Sequence, residues 1–294
     1  MTRAGIVTVV GKPNAGKSTF LNRVVGQKLS IVSPKPQSTR DRIVGIVTDD
    51  NDQMIVFDTP GLLNPKYALH RAMRSTALDA LADADIVIYL ADAGEGVAPP
   101  LTVAAELVSP PSAPVFTVYN KLDTITPEEK LRLATATPSA RFISALTGEG
   151  VPELVAEARS GLPVSPFLYD AEDVSTQTVR FFAAELVRES ALEQLDEEVP
   201  YSLACEIEEF RETRTPVYIR AVLYVERETQ KQILIGAKGA RIKEIGRSAR
   251  VKIEALIEQK VYLDLWVKVL ANWRKNTGAL ARFGYRIPED KKSR

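Results

Sequence analysis

Short apolar runs alternate with helically spaced apolar positions through the first half of the chain. Runs at 5–10, 42–48, 53–57, 85–91, 114–119 and 141–143 read as strands, and 17–25, 70–82, 100–107, 127–134 and 151–158 as helices. Strands separated by helices predict an α/β fold with a mostly parallel sheet. The pair 42–48 and 53–57 departs from this rule. Only the turn-prone Asp49-Asp50-Asn51-Asp52 lies between them, so they read as an antiparallel hairpin within the sheet. The pattern breaks at Leu162-Pro163-Val164-Ser165-Pro166, which sets a first domain at 1–163, a linker at 164–176 and a second domain at 177–294.

The second domain reads as helix 178–195, strands 201–210 and 217–225, helices 230–235 and 241–258, and strand 261–269, in the order α-β-β-α-α-β. Along 241–258, Ile242, Ile245, Ala249, Ile253 and Leu256 recur at helical spacing and are expected in the core, which leaves Lys243, Arg247, Arg250 and Lys252 nearer solvent. Trp266 and Trp273 read as core residues, and 290–294 as a frayed tail.

A length of 294 residues suits two domains, each able to bury its own core. The single Cys205 excludes an internal disulfide framework, fits a reducing cytosol and reads as a packing residue. No window offers 18 uninterrupted apolar residues, and the apolar run near the start leads into a glycine-rich loop rather than a cleavage site. The overall net charge of zero conceals an asymmetry: residues 1–176 carry 16 Lys and Arg against 20 Asp and Glu, and the remainder 22 against 18. Seven basic residues fall between Lys231 and Lys252, with Glu244 the one acid among them. A solvated helix face and a site for an anionic polymer both explain that cluster.

The chemistry-bearing motifs sit at strand ends. Gly11-Lys12-Pro13-Asn14-Ala15-Gly16-Lys17-Ser18 fits G-x-x-x-x-G-K-[ST], follows the first strand and opens a helix at Thr19, so backbone N–H groups and the helix dipole face an anion. In this pattern Lys17 reaches the β and γ phosphates, and the Ser18 hydroxyl ligates Mg²⁺. Asp58-Thr59-Pro60-Gly61 follows the third strand, where an Asp holds Mg²⁺ through water and the Gly61 N–H reaches a γ-phosphate. Asn120-Lys121-Leu122-Asp123 follows the fifth strand. Its Asp123 carboxylate suits guanine N1–H and N2–H₂, which have no counterpart on adenine, and Ser144-Ala145-Leu146 would give a backbone N–H to guanine O6. The expected ligands are therefore GTP or GDP with Mg²⁺. His70, without a cluster of ligands at metal spacing, reads as a surface or helix-start residue.

In the second domain Gly236-Ala237-Lys238-Gly239 separates two apolar helical segments. The glycines let a sugar-phosphate backbone approach without Cβ interference, while helix N–H groups and Lys238 face the phosphates. A KH groove of this kind reads about four unpaired nucleotides, so single-stranded RNA is the expected ligand.

Residues 1–163 resemble a translation-factor-class, Ras-like P-loop G domain. Gln37-Ser38-Thr39-Arg40 followed by Arg42-Ile43-Val44-Gly45-Ile46, Asp58-Thr59-Pro60-Gly61, and the stretch 236–250 resemble the Era family of bacterial GTPases, with its type II KH domain. The resemblance implies a GTP-hydrolysing switch that binds the 3′ end of small-subunit (16S) ribosomal RNA and assists assembly of the small ribosomal subunit in the cytoplasm. It implies Thr39 as the switch I residue whose hydroxyl joins Mg²⁺, with Ser38 the competing candidate. Leu62 stands where Ras-like enzymes place a water-orienting Gln, and Asn14 resembles the asparagine of potassium-activated GTPases, implying K⁺ beside the phosphates. The RNA contacts fall on Gly236, Ala237, Lys238, Gly239, Arg241, Lys243 and Arg247. The basic cluster could also meet anionic lipid at the inner membrane surface, although no lipidation signal or amphipathic anchor accompanies it. Two other classes are open: a P-loop kinase, against which Asn120 to Asp123 argues, and a constitutive RNA-binding protein carrying nucleotide as a structural ligand.

Overall fold

The structure, a computed structural model, describes residues 1–287; the tail at 290–294 lies outside them. The chain divides into two compact units, one of residues 1–66 and 70–176, the other of 67–69 and 177 onward.

The first unit runs β1 (Arg3–Val10), α1 (Lys17–Val25), β2 (Ile43–Thr48), β3 (Asp52–Asp58), α2 (Ala68–Ala82), β4 (Ile86–Asp92), α3 (Leu101–Ala104), β5 (Val115–Asn120), α4 (Pro127–Ala136), β6 (Arg141–Phe142) and α5 (Val151–Ser160). Its six-stranded sheet has the order β2-β3-β1-β4-β5-β6. Only β2 runs antiparallel, paired with β3 from Ile43 opposite Asp58 to Thr48 opposite Gln53. β1 and β4 lie between parallel neighbours and are covered on both faces, which is why Val7 to Val10 and Ile86 to Ile88 are buried without interruption, Thr8 included, instead of alternating. Parallel strands all end on one side, so the loops after β1, β3 and β5 gather there. The expected helix 100–107 shortens to α3, because Glu106 takes a left-handed φ of 49° and stops the helical turn.

Residues 164–176 run against the sheet of this unit. Ser165 N–H donates to Thr2 O (3.2 Å). The buried Gln53 carboxamide accepts from Leu168 N (2.7 Å) and Tyr169 N (2.9 Å) and donates to Tyr169 O (2.8 Å). Farther on, Ile46 N donates to Val174 O (2.8 Å) and the Ser175 hydroxyl to Val44 O, both on β2.

The second unit runs α6 (Val179–Gln194), β7 (Ala204–Arg211), β8 (Val217–Val225), α7 (Glu228–Ile235), α8 (Ala240–Ile257), β9 (Val261–Val269) and α9 (Thr277–Arg282). In its sheet, of order β7-β8-β9, β8 is antiparallel to β7 and parallel to β9. One face packs Ile219, Ala221, Leu223, Leu263 and Leu265 against Ala183, Val187 and Ala191 of α6 and Ile245, Ala249 and Ile253 of α8.

Four expectations are corrected here. The strand expected from residue 201 starts at Ala204, after a short 3-10 turn at Pro200–Ser202. Leu256 is exposed and Ile257 packs on the core instead, since the buried row on α8 continues by fours from Ala249 and Ile253. Lys252 is half-buried and paired, its ammonium 3.0 Å from Glu189 Oε2 and 2.7 Å from Glu193 Oε1 on α6. Trp266 is 53% exposed because it falls on the face of β9 opposite Leu263, Leu265 and Val267, whereas Trp273 is fully buried, with Nε1 donating to Ser202 O (2.8 Å).

Candidate functional site

The turn between β1 and α1 wraps the Lys17 side chain, whose ammonium donates to Gly11 O (3.1 Å) and Lys12 O (2.8 Å). Burial lowers the Lys17 pKa to about 8, although the nearby Asp58 charge opposes the shift. Asp58, at the end of β3, is fully buried and its pKa is raised by that burial, with the Lys17 ammonium pulling the other way. Its Oδ2 accepts from Ser18 Oγ (2.7 Å) and Thr39 Oγ1 (3.4 Å), and the two hydroxyls lie 2.9 Å apart. Among the described residues Asp58 Oδ1 has no hydrogen-bond partner. Three hard oxygen donors thus meet beside the phosphate turn, one with an unused buried lone pair, and this set fits Mg²⁺.

Beside them opens a cavity of about 340 Å³ lined by Pro13, Asn14, Gly16–Thr19, residues 31–34, Gln37, Ser38, Thr39, Gly61 and Lys121. Asn14, at a left-handed φ of 64°, donates from Nδ2 to Pro34 O (2.8 Å), tying the phosphate turn to the 31–39 segment. Thr59 Oγ1 donates to Val9 O (2.8 Å) and Leu62 N to Gly11 O (2.9 Å), so residues 59–62, Pro60 among them, are held against β1 and its turn. Gly61 is packed so close that a Cβ there would stand 2.7 Å from Pro13 N. Lys12 points away to pair with Glu95 (2.7 Å) at the surface.

In the loop after β5, Asn120 acts as a buried strut. Its Nδ2 donates to Ala15 O (2.8 Å) and its Oδ1 accepts from Ala145 N (2.8 Å). Lys121 follows in a left-handed conformation and pairs with Asp92 (2.6 Å). The exposed Asp123 accepts from the Ser144 hydroxyl. Arg23 of α1 caps this loop by donating to the carbonyls of Ala145 and Leu146.

Sequence reasoning passed over three of these braces. Asn22 accepts from Leu29 N (2.8 Å) and Ser30 N (2.9 Å) and donates to Ser30 O (2.9 Å). Arg23 is the second. The third corrects the surface reading of His70, which is buried in the first turn of α2 with Nε2 3.0 Å from Gln37 Oε1. The two residues lie on the segments flanking the cavity, and no local spacing signals a contact 33 residues apart.

In the second unit α7 ends at Gly236 (φ 71°), Lys238 takes φ 50°, and Gly239 (φ 77°) opens α8. A Cβ on Gly236 would approach Arg241 Cβ to 2.8 Å. Ala237, Lys238, Arg241, Lys243 and Arg247 are exposed, and Arg241 also donates to Ile233 O (2.8 Å). A groove of about 640 Å³ lies between α8 and β9, lined by Ile242, Lys243, Gly246, Arg247 and Arg250 on the helix and Val261, Tyr262, Leu263 and Leu265 on the strand. Of the expected RNA contacts, Lys243 and Arg247 line this groove, Gly236, Ala237, Lys238 and Gly239 form the turn at its head, and Arg241 lies in the first turn of α8.

Residues 6–121 match a family described as 50S ribosome-binding GTPase, and residues 198–274 match the KH domain family. The chain is 40% identical over 291 residues to the GTPase Era of Carboxydothermus hydrogenoformans, covering 96% of this chain and 98% of that one. It is 39% identical to the GTPase Era of Syntrophus aciditrophicus, covering 97% and 96%. Among solved structures, Era in complex with MgGDPNP and nucleotides 1506–1542 of 16S ribosomal RNA superposes with a TM-score of 0.91 at 37% identity, over 98% of this chain and all of that one. A single-residue variant of Aquifex aeolicus Era bound to GDP.AlF4- gives 0.91 at 36% identity, over 97% and 100%. Both halves of the chain therefore match one kind of protein from end to end, and the chain belongs to the Era family of GTPases.

Proposed function

We propose that the chain couples GTP hydrolysis to its grip on the 3′ end of small-subunit (16S) ribosomal RNA, and so assists assembly of the small ribosomal subunit. The supporting observation is the match along the whole chain to Era holding MgGDPNP and nucleotides 1506–1542 of that RNA. Lys17 binds the β and γ phosphates, the Gly61 N–H reaches the γ-phosphate, and Asp123 pairs with guanine, while Asn120 holds the guanine loop to the phosphate turn. Ser18, Thr39 and Asp58 hold Mg²⁺; Thr39 is the switch I ligand because its hydroxyl already meets the Ser18 hydroxyl and the Asp58 carboxylate. The ion, when bound, neutralises charge that develops on the phosphates.

Leu62 is buried against Val10 and cannot orient a water molecule. K⁺ held with the help of Asn14 supplies charge at that point instead, and equal GTPase rates in K⁺ and Na⁺ buffers would refute this assignment.

On the RNA side the turn at 236–239 holds the backbone and the α8 groove the bases. The protein works in the cytoplasm, and attraction of the exposed α8 basic face to anionic lipid at the inner membrane surface is a secondary property, checked by cosedimentation with phosphatidylglycerol vesicles. No helix among the described residues is long and apolar enough to cross a membrane.

The deciding experiment measures binding of the 1506–1542 segment with a GTP analogue and with GDP. Tighter binding in the GTP state is expected, together with loss of that difference in Lys17→Ala. Identical affinities would reduce the protein to a constitutive RNA binder.

A further inference from the structure

The exposed face of the second unit's sheet carries an aromatic cluster that starts at Tyr262 on the rim of the α8 groove and extends onto surface that neither the groove nor the phosphate pocket uses. β9 alternates strictly: Val261, Leu263, Leu265 and Val267 face the core, so Tyr262, Asp264, Trp266 and Lys268 face outward. Tyr262 is 59% exposed and stacks on Tyr218 of β8, with ring centroids 5.9 Å apart and planes at 12°. An exposed tryptophan ordinarily swings freely, but Trp266 is fixed: its Nε1 donates to Asp264 Oδ1 (2.8 Å). The same carboxylate takes the Tyr218 hydroxyl (2.9 Å) and Arg220 Nε (3.1 Å) on its other oxygen. The guanidinium groups of Arg211, Arg214 and Arg220 lie within 6 Å of the Tyr218 ring. One aspartate therefore orients an indole, a phenol and a guanidinium on an open surface.

We infer that this face is a stacking platform for bases of single-stranded RNA that continue beyond the α8 groove. Aromatic rings interleaved with arginines are the chemistry of sequence-tolerant single-strand binding, in which rings take bases and guanidinium groups take phosphates or stack in turn. The surface is continuous with the groove, because Tyr262 lies on its rim. β9 is the edge strand, so an RNA strand leaving the groove over that edge meets Tyr262 first and Trp266 next, about 13 Å farther along the strand. A groove that holds about four nucleotides accounts for only part of a longer single strand, and the platform takes the next bases. Orienting the rings in advance lowers the entropy lost on binding.

This inference rests on the RNA reading of the groove, and the test separates the two. Trp266 and Trp273 are the only tryptophans, and Trp273 is fully buried, so intrinsic fluorescence reports on Trp266 against a constant background. The full-length protein is titrated with the 1506–1542 RNA and with a tetranucleotide from the same segment. We expect the long RNA to quench the fluorescence, and the Trp266→Phe variant to bind comparably with that signal gone. Trp266→Ala, which lies outside the groove lining, is expected to weaken the long RNA about tenfold while leaving tetranucleotide affinity unchanged, since a stacked base is worth about five- to hundredfold; Tyr262→Ala, at the rim shared with the groove, is expected to weaken both RNAs. Normal RNA binding without quenching and without loss in Trp266→Ala overturns the platform and leaves the groove standing. Quenching that grows with protein concentration alone assigns the face to a second copy of the chain, and also overturns it. Failure of both RNAs to bind overturns the groove reading and the platform with it.

Discussion

At the phosphate pocket Lys17, Asp58 and Asn120 are buried, whereas at the α8 groove and the turn before it Lys238, Lys243 and Arg247 stand in solvent. The pocket holds its charged groups in low dielectric, braced by one another and by glycines whose Cβ positions are already occupied. The groove offers backbone shape and mobile cations that water screens. A compact, multiply charged ligand that must be held in register is matched by buried, preorganised groups; a long flexible polyanion is matched by many shallow contacts whose strength follows ionic conditions.

The sharpest attempt to break this contrast is Gly16→Ala. The residue sits at φ 94°, and a Cβ would stand 2.2 Å from Asn120 Nδ2, so the added methyl dislodges the strut that joins phosphate turn to guanine loop. Left-handed strain and the lost buried hydrogen bonds amount to about 3 kcal/mol, and calorimetry should show GDP affinity lower by about 150-fold. Ordinary affinity would mean that the pocket tolerates slack after all.

Asp123→Asn comes next. It removes a charge-assisted pair and should cost about a hundredfold in guanine nucleotide affinity while leaving RNA binding to the nucleotide-free protein unchanged.

A smaller effect follows from Lys17. Its pKa in the free protein is lowered to about 8 from 10.5, while a bound phosphate requires the ammonium form. At pH 7 the group is mostly charged already; above pH 8 the protein must take up a proton in order to bind. GDP affinity should therefore fall by about fivefold from pH 8 to 9. Titrations in buffers of different ionisation heat should show proton uptake at pH 8.5, and a flat profile would contradict the burial of Lys17.

The mildest change is the double variant Lys243→Ala, Arg247→Ala. RNA affinity should drop several-fold, and the slope of log affinity against log salt should flatten by about 1.4. Nucleotide affinity in this variant should equal that of the parent protein.

The same contrast decided what the sequence could reveal. Strand-end motifs on a parallel sheet are local signals, and Gly11–Ser18, Asp58–Gly61 and Asn120–Asp123 each announce their chemistry within a few residues. The order α-β-β-α-α-β carried the second fold equally well. Contacts between distant segments carried no such mark: the His70 bond to Gln37, the Lys252 pair with Glu189 and the grip of Gln53 on 168–169 join residues 33, 63 and 115 or more apart. Trp266 is a different case, because its signal was present. The period of two along Val261–Val269 places it with Tyr262, Asp264 and Lys268 on the polar face, and a general preference of tryptophan for the interior concealed that pattern.

Gly61 imposes a restriction of its own. Because Pro13 fills the space where any side chain would begin, the position can offer only its amide, and no replacement can improve or retune it while the turn keeps its shape. Variation that alters the timing of the switch must therefore accumulate in neighbours that do possess side chains, such as Asn14, Gln37 and His70, around a point that cannot itself vary.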